Sequence, residues 1–360
     1  MANQGSRLTR QNLHGWLFAL PGFGLMVMFV VIPFIFAIVF SLTNQRLISP
    51  NPTEFIGVEN YSNLLGLGGL VIEPIKDDEG RWVLDSKGEY KYPRTRKFTR
   101  NNPDHPDIQG MKEWFSWQWD HKKVVVLASD PVFMKALVNT LTFVAVVAPI
   151  QSLIALCLAL LINQRLRGIN IFRTIYFMPV VVSIVVVSLL WRFIYDGQNG
   201  LLNSVLASLT FNHFEPVDWL GNPDTALGSI MVMSIWQAVG FHMVIWLSGL
   251  QTISPTLYEA AKIEGASSWQ TFRYVTWPGL RNTAILVGIV ITMQAFALFA
   301  QIDVMTNGGP LDSTQTIVFQ AVERGYGKQD ISGGSTLSVV LFVIVLSISL
   351  LQRFLTREKN

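Results

Sequence analysis

The chain has 360 residues, of which 50% are hydrophobic and only 14% charged, with a mean hydropathy of +0.38 and a formal net charge of +3. Soluble domains carry about 25% charged residues, so this deficit excludes an ordinary soluble core and points to lipid. The small net charge says little about partners; the placement of the basic residues says more.

Residues 1–15 read as a polar lead. Uncharged runs at 11–45, 136–164, 174–191, 225–258, 282–302 and 331–352 each approach or exceed the roughly 20 apolar residues that a helix needs to cross a bilayer. They predict six transmembrane helices near 16–42, 136–162, 174–195, 226–250, 282–303 and 334–354, an all-α integral membrane fold. The first segment, 16–45, is too long for a signal-peptide core and lacks a small-residue cleavage site, so it stays as a membrane helix. Its Pro21 and Pro33 are tolerable in lipid, where neighbours and local backbone adjustment satisfy the freed groups.

The segment 46–135 changes composition sharply. "KDDEGRWVLDSKGEYKYPRTRKF" alternates around Lys87-Gly88 as a β-hairpin would, while "MKEWFSWQWDHKK" fits a short helix or a strand. Its tryptophans argue for a small folded subdomain that buries them or presents them to a partner. Cys157, alone in the second helix, reads as a small core side chain and leaves no disulfide or thiolate metal site. The loop after the third helix carries an amphipathic piece near 200–211 that suits a membrane surface. His242 in the fourth helix reads first as a hydrogen-bonded packing residue, then as a ligand or proton carrier.

Between the fourth and fifth helices lies "YEAAKIEGASSWQTFRYVTWPGL". Ser254 before Pro255 is an N-cap followed by proline at the first helical position. "TLYEAAKIE" gives one short helix, Gly265 offers a left-handed stop, and Ser267 or Ser268 caps a second helix that Pro278 ends. The plain alternative is an interfacial loop; Lys262 and Arg273 form no basic patch, so nucleic acid is not an expected partner. "TNGGP", residues 306–310, predicts a fixed turn, and 355–360 form a short tail.

Orientation follows from Lys and Arg in short loops. With the N-terminus inside, cytoplasmic segments hold eleven (Arg7, Arg10, Arg165, Arg167, Arg173, Lys262, Arg273, Arg281, Arg353, Arg357, Lys359), against three in the short outer loops (Arg192, Arg324, Lys328). Both termini and the hairpin 254–281 are therefore expected in the cytoplasm, and 46–135 outside.

Glu259-Ala260-Ala261, then Gly265-Ala266, then Pro278 resemble the "EAA" loop of importer-type ABC transporter permeases, with Glu264 where the family commonly has Asp. "FIGVENY", "DPVFMKALVNTLTF", "LLINQRLRGINIFRTIYFMPVVVS" and "DVMTNGGPLDSTQTIVFQAVERGY" extend the resemblance to carbohydrate-uptake permeases of the maltose and glycerol-phosphate kind, over about 16–354 except 66–128. The resemblance implies a type I importer permease core over 136–354, in a bacterial or archaeal cytoplasmic membrane. It also implies that the loop, with Glu259, Ala260, Ala261, Glu264, Gly265, Ala266 and Pro278, docks on an ATPase. The implied partners are a second similar permease, two ATPase subunits using ATP and Mg, an outer solute-binding protein and membrane lipid.

The chain has no GxxxxGK[ST], HExxH or GxSxG motif and no Cys/His zinc set, so it is expected to bind no cofactor and to hydrolyse nothing itself. For a solute path, Ser234, Gln237 and Phe241 share one helical face, and Gln294, Leu298 and Gln301 another, with Trp236 and Asn139 as weaker candidates. The resemblance places these near sugar-contacting positions, although the family's phenylalanine and asparagines there become Gln294, Ala295 and Leu298. Interhelical hydrogen bonding by the glutamines is the competing reading. The expected solute is a di- or oligosaccharide or sugar derivative, with a glycerol phosphate ester or other polyol derivative as the alternative. An ion-coupled transporter would carry ionisable residues inside its spans, which are almost free of them, and a membrane scaffold would not need the hairpin.

Overall fold

A computed structural model describes residues 15–16, 18–86, 88–164 and 168–356. Arg7, Arg10, Lys87, Arg165, Arg167, Arg357 and Lys359 lie outside the described residues, as do most of the 1–15 lead and the 355–360 tail. Among the described residues, four helices are long and apolar enough to cross a membrane: α1 (Phe18–Ser41), α3 (Pro131–Ile162), α7 (Pro223–Thr252) and α13 (Ile331–Thr356). Two bent pairs bring the number of spans to six if each pair counts as one.

The expected third helix is not continuous. It consists of α4 (Ile169–Val181) and α5 (Ile184–Ile194), bent by 98° about an extended Val182. Pro179 inside α4 lacks the N–H that would bond one turn back, which weakens the helix just before it ends. The expected fifth helix also breaks, into α10 (Arg281–Phe296) and α11 (Ala300–Met305). The carbonyl of Leu298 in that gap accepts a hydrogen bond from Thr316 Oγ1 at 2.9 Å, so the exposed backbone is satisfied by protein. The second and fourth helices start earlier than hydropathy suggested. Asp130 and Asn222 each precede a proline, and their side chains accept from Phe133 N and Asp224 N at 3.0 Å.

The chain divides into two compact units. One holds the residues up to 63 together with 321–340. Within it, Asn60 Nδ2 donates to the carbonyls of Ser41 and Thr43 at 2.9 and 2.8 Å, closing the end of α1. Backbone bonds Leu47 N to Gln329 O (2.9 Å) and Ser332 N to Gln45 O (3.0 Å) join its two segments.

The other unit, 64–320 with 341–360, contains a three-stranded antiparallel sheet of order β1–β3–β2, formed by Leu67–Ile72, Lys122–Ala128 and Lys112–Trp119. "MKEWFSWQWDHKK" is thus a strand and turn. Lys87 lies outside the described residues, but Leu84 bridges Tyr90 on either side of Gly88, as the expected hairpin requires, and Lys76 bridges Trp82 around a second turn. The sheet buries Leu70, Ile72, Ile108, Val125 and Leu127, and none of its tryptophans is buried. Phe115, Trp117 and Trp119 alternate along the edge strand β2 with 57%, 40% and 72% exposure, so one face of that edge is an aromatic stripe.

In the same unit α3 packs on α7, and both meet α10. Ala155, Ala159, Met243, Trp246, Leu250, Leu280, Val287 and Ile291 form the core at one end, and Phe143, Val147, Ile230, Met233, Ala295 and Ile302 at the other. Cys157 is exposed on α3 rather than part of the core, because the packed face of that stretch is carried by Ala155, Leu156 and Ala159. The amphipathic piece is α6 (Leu201–Leu209), whose Leu201, Val205 and Leu209 form an exposed stripe at i, i+4 and i+8. The "TNGGP" turn forms, with Thr314 Oγ1 donating to Gly309 O at 2.7 Å and Gly308 in the left-handed region.

Candidate functional site

A cavity of about 350 Å³ lies between α3, α4, α5, α7 and α10. It gathers Ser234, Gln237, Phe241, Gln294, Leu298 and Gln301, the residues placed on two helical faces by periodicity. The break after Phe296 does not disperse them: Leu298 sits in the gap and Gln301 on α11, yet both still line the space.

The sequence reading missed Gln151, also on the wall. A lone glutamine in "VVAPIQSLIALCLALL" is a signal, since an amide inside an apolar helix needs a partner. That partner is His242: Gln151 Nε2 and His242 Nδ1 are 2.7 Å apart, and Nδ1 is 2.9 Å from Ala238 O. His242 is fully buried and held through Nδ1, which fits a hydrogen-bonded packing role. Ser234 Oγ is buried without a hydrogen-bond partner among the described residues. It lines the cavity, so a bound hydroxyl would satisfy it.

Four amides, one hydroxyl and the rings of Phe143 and Phe241 line the cavity, and none of its lining residues among those described is charged. Such walls hydrogen-bond a neutral polyhydroxy solute and stack on its apolar faces; they offer no counter-charge to an anion. Trp236 and Asn139 do not belong here. Trp236 is 47% exposed and meets Trp191 edge-on at 5.5 Å beside a separate apolar groove. Asn139 Nδ2 donates to Asp312 O and Gln315 O at 3.4 and 3.0 Å, tying α3 to the loop after α11.

The hairpin is α8 (Pro255–Ile263) and α9 (Ser268–Gly279). Ser254 occupies the N-cap position but makes no side-chain cap; its hydroxyl is 2.8 Å from Thr256 Oγ1 instead. Gly265 has φ +71, and Ala266 N reaches back to Ala261 O at 2.9 Å, a left-handed helix stop. Ser267, rather than Ser268, caps α9 through a reciprocal box with Gln270. Pro278 does not end the helix. A π turn over Phe272–Thr276 carries the chain through it, and the 67° bend comes at Leu280.

Glu259, Ala260, Glu264 and Gly265 are exposed, while Ala261 and Ala266 are half-buried. Ile263, Trp269 and Tyr274 stand out at 86%, 70% and 75% exposure, an apolar patch that the motif alone did not announce. Tyr258 OH meets Thr276 Oγ1 at 3.3 Å, and Tyr258 and Val275 rest on the core formed by α3, α7 and α10.

The family model described as "Binding-protein-dependent transport system inner membrane component" matches residues 136–359. The trehalose/maltose transport system permease protein MalF of Thermococcus litoralis is 35% identical over 211 residues, 59% of this chain and 70% of that protein. The lactose transport system permease protein LacF of Rhizobium radiobacter is 34% identical over 241 residues, 66% of this chain and 80% of that one. The crystal structure of a bacterial ABC transporter involved in import of the acidic polysaccharide alginate matches the fold with a TM-score of 0.69, at 18% identity over 98% of this chain and 99% of that chain. With its apolar spans, broken helices and the family match over more than half its length, the chain belongs to the inner membrane components of binding-protein-dependent transport systems.

Proposed function

We propose that this permease passes a neutral sugar, a di- or oligosaccharide or a sugar derivative, through the cavity at Gln151, Ser234, Gln237, Phe241, Gln294 and Gln301. The observation that carries the reading is an amide-rich cavity with no charged residue in its wall. The same observation disfavours a glycerol phosphate ester, which would bring a negative charge without a cation to meet it. The trehalose/maltose and lactose systems of the similar permeases support a saccharide.

Gln237→Leu and Gln294→Leu remove one amide each. Each lost hydrogen bond is worth about 1 kcal/mol, so half-saturating solute should rise about five-fold per variant. Uptake is measured with labelled di- and oligosaccharides, with glycerol 3-phosphate as the anionic comparison. Unaltered saccharide uptake by the double variant would sink the proposal.

The hairpin 254–281 is proposed to dock on ATPase subunits, which hydrolyse MgATP while this chain supplies half of the path beside a second permease. Both termini and the hairpin are assigned to the cytoplasm by the eleven-to-three distribution of basic residues. After Cys157→Ala, cysteines placed at the exposed positions Ser86 and Asn222 should react with an impermeant thiol reagent in intact cells, and one at Lys262 should not. Labelling at position 262 would reverse the orientation.

A further inference from the structure

The cavity wall is held by a residue that does not itself line it. His242 is wholly buried on α7 and reaches two amides that do line the cavity, Gln151 on α3 and Gln294 on α10. Its Nδ1 lies 2.9 Å from the carbonyl oxygen of Ala238. A carbonyl only accepts, so Nδ1 carries the ring proton; with one proton on the ring, Nε2 is left as an acceptor. The amide end of Gln151 that meets Nδ1 at 2.7 Å must then accept as well. A half-turn of that amide, which leaves its outline unchanged, places its oxygen on Nδ1–H. The ring's other nitrogen is the odd one out: Nε2 is buried with no hydrogen-bond partner among the described residues. Leaving a buried acceptor unmade is costly, and Gln294 is the donor at hand, because it interacts with the imidazole and is exposed on the cavity side, where its amide can turn.

We infer that His242 is a positioning residue that sets the polarity of two amides in the cavity wall. Its Nδ1–H holds Gln151 by the oxygen, which leaves the N–H groups of Gln151 to donate into the cavity. Its Nε2 takes one N–H of Gln294, which leaves the oxygen of Gln294 to accept there. Two amides that would otherwise flip become one donor and one acceptor, on different helices and at a fixed spacing. That pattern selects a solute with an ether or carbonyl oxygen for Gln151 and a hydroxyl for Gln294. The inference rests on the sugar reading above for its solute, but not for its geometry.

The first test needs no solute. The full chain, with its five histidines labelled with nitrogen-15, is placed in lipid nanodiscs, and His242→Phe identifies the His242 resonances by difference. The ring should show one proton, on Nδ1. Gln294→Leu should shift Nε2, and Gln151→Leu chiefly Nδ1. A proton on Nε2 or on both nitrogens overturns the inference, as does an Nε2 resonance indifferent to Gln294→Leu. The second test follows uptake of labelled maltose and lactose by the assembled transporter. His242→Phe should raise the half-saturating sugar about five-fold at an unchanged maximal rate, the effect of one lost hydrogen bond. His242→Gln, which returns an acceptor near the Nε2 position, should recover most of it. Added to Gln294→Leu, His242→Phe should cost less than about two-fold more, because both changes break the same contact. Fully additive losses, or a fall in maximal rate alone, would make His242 a packing residue only. If the unaltered transporter imports neither sugar, the sugar reading fails and the ring resonances alone decide the inference.

Discussion

Gly265→Val and Glu259→Lys should each lower solute import at least ten-fold while the chain still reaches the membrane. The reasons differ. Gly265 sits at φ +71 with open space where a Cβ would go, so the penalty is in the backbone and not in crowding. A left-handed conformation costs an L-residue about 1–2 kcal/mol, and a β-branched side chain more. The ordering Asn, then Ala, then Val at this position should therefore track increasing loss, because asparagine tolerates that region. Glu259 is exposed, so reversing its charge leaves the fold alone and acts on what the hairpin touches. Membrane fractionation, import rate and copurification of the ATPase separate these effects. If both variants import at the unaltered rate, the hairpin is only a linker.

The second large effect concerns the three-stranded sheet, which we propose lies outside the membrane as a docking element for the solute-binding protein. Phe115, Trp117 and Trp119 are exposed on an edge strand, and the sheet's core is formed without them. Lys91, Arg94, Arg96, Lys97 and Arg100 are all exposed on the same subdomain and make no salt bridge among the described residues. Neighbouring Lys122, by contrast, pairs with Glu73 at 3.1 Å and holds that carboxyl below its usual range. Aromatic and arginine side chains dominate interface energetics, at about 2 kcal/mol or more for each hot spot. Replacing 70–126 with a flexible linker should preserve basal ATP hydrolysis by the assembled transporter and abolish its stimulation by loaded binding protein. The triple change of Phe115, Trp117 and Trp119 to Ser keeps the buried core and should still raise the half-stimulating concentration by at least ten-fold. The unaltered protein should need more binding protein as salt increases. Stimulation at the original concentration in the linker variant would refute docking here.

The helical architecture was legible because lipid leaves little choice: each span must be apolar and satisfy its own backbone. Helix starts were legible too, at Asp130-Pro131 and Asn222-Pro223, but hydropathy windows passed over those capping signals by several residues. The breaks were harder to read. Pro179 hinted at the bend before Ile184, whereas no residue between Ala297 and Phe299 forbids a helix, and tertiary bonds such as Thr316 to Leu298 O accompany that interruption. Periodicity brought Ser234, Gln237 and Phe241 to one wall. It misplaced Trp236, only one residue from Gln237, because a helix turns about 100° per residue and that step faces the other groove. Strand β2 stayed open between helix and strand: Phe115, Trp117 and Trp119 alternate, but the apolar face they make is exposed, so alternation alone did not say what it packs on.

Two glycines at the foot of the hairpin set its mechanical character. A Cβ on Gly249 would fall 2.2 Å from Thr283 Oγ1, and one on Gly279 would fall 2.8 Å from Ile253 Cδ1. The spans on either side of the hairpin are thus pressed together at the hairpin's foot, with the wholly buried Leu280 in the core between them. A push on the hairpin cannot splay these two spans without prising open that joint. We propose that any force on the hairpin would therefore tilt the two spans together as one stiff lever, carrying along Gln237 and Gln294, one on each arm.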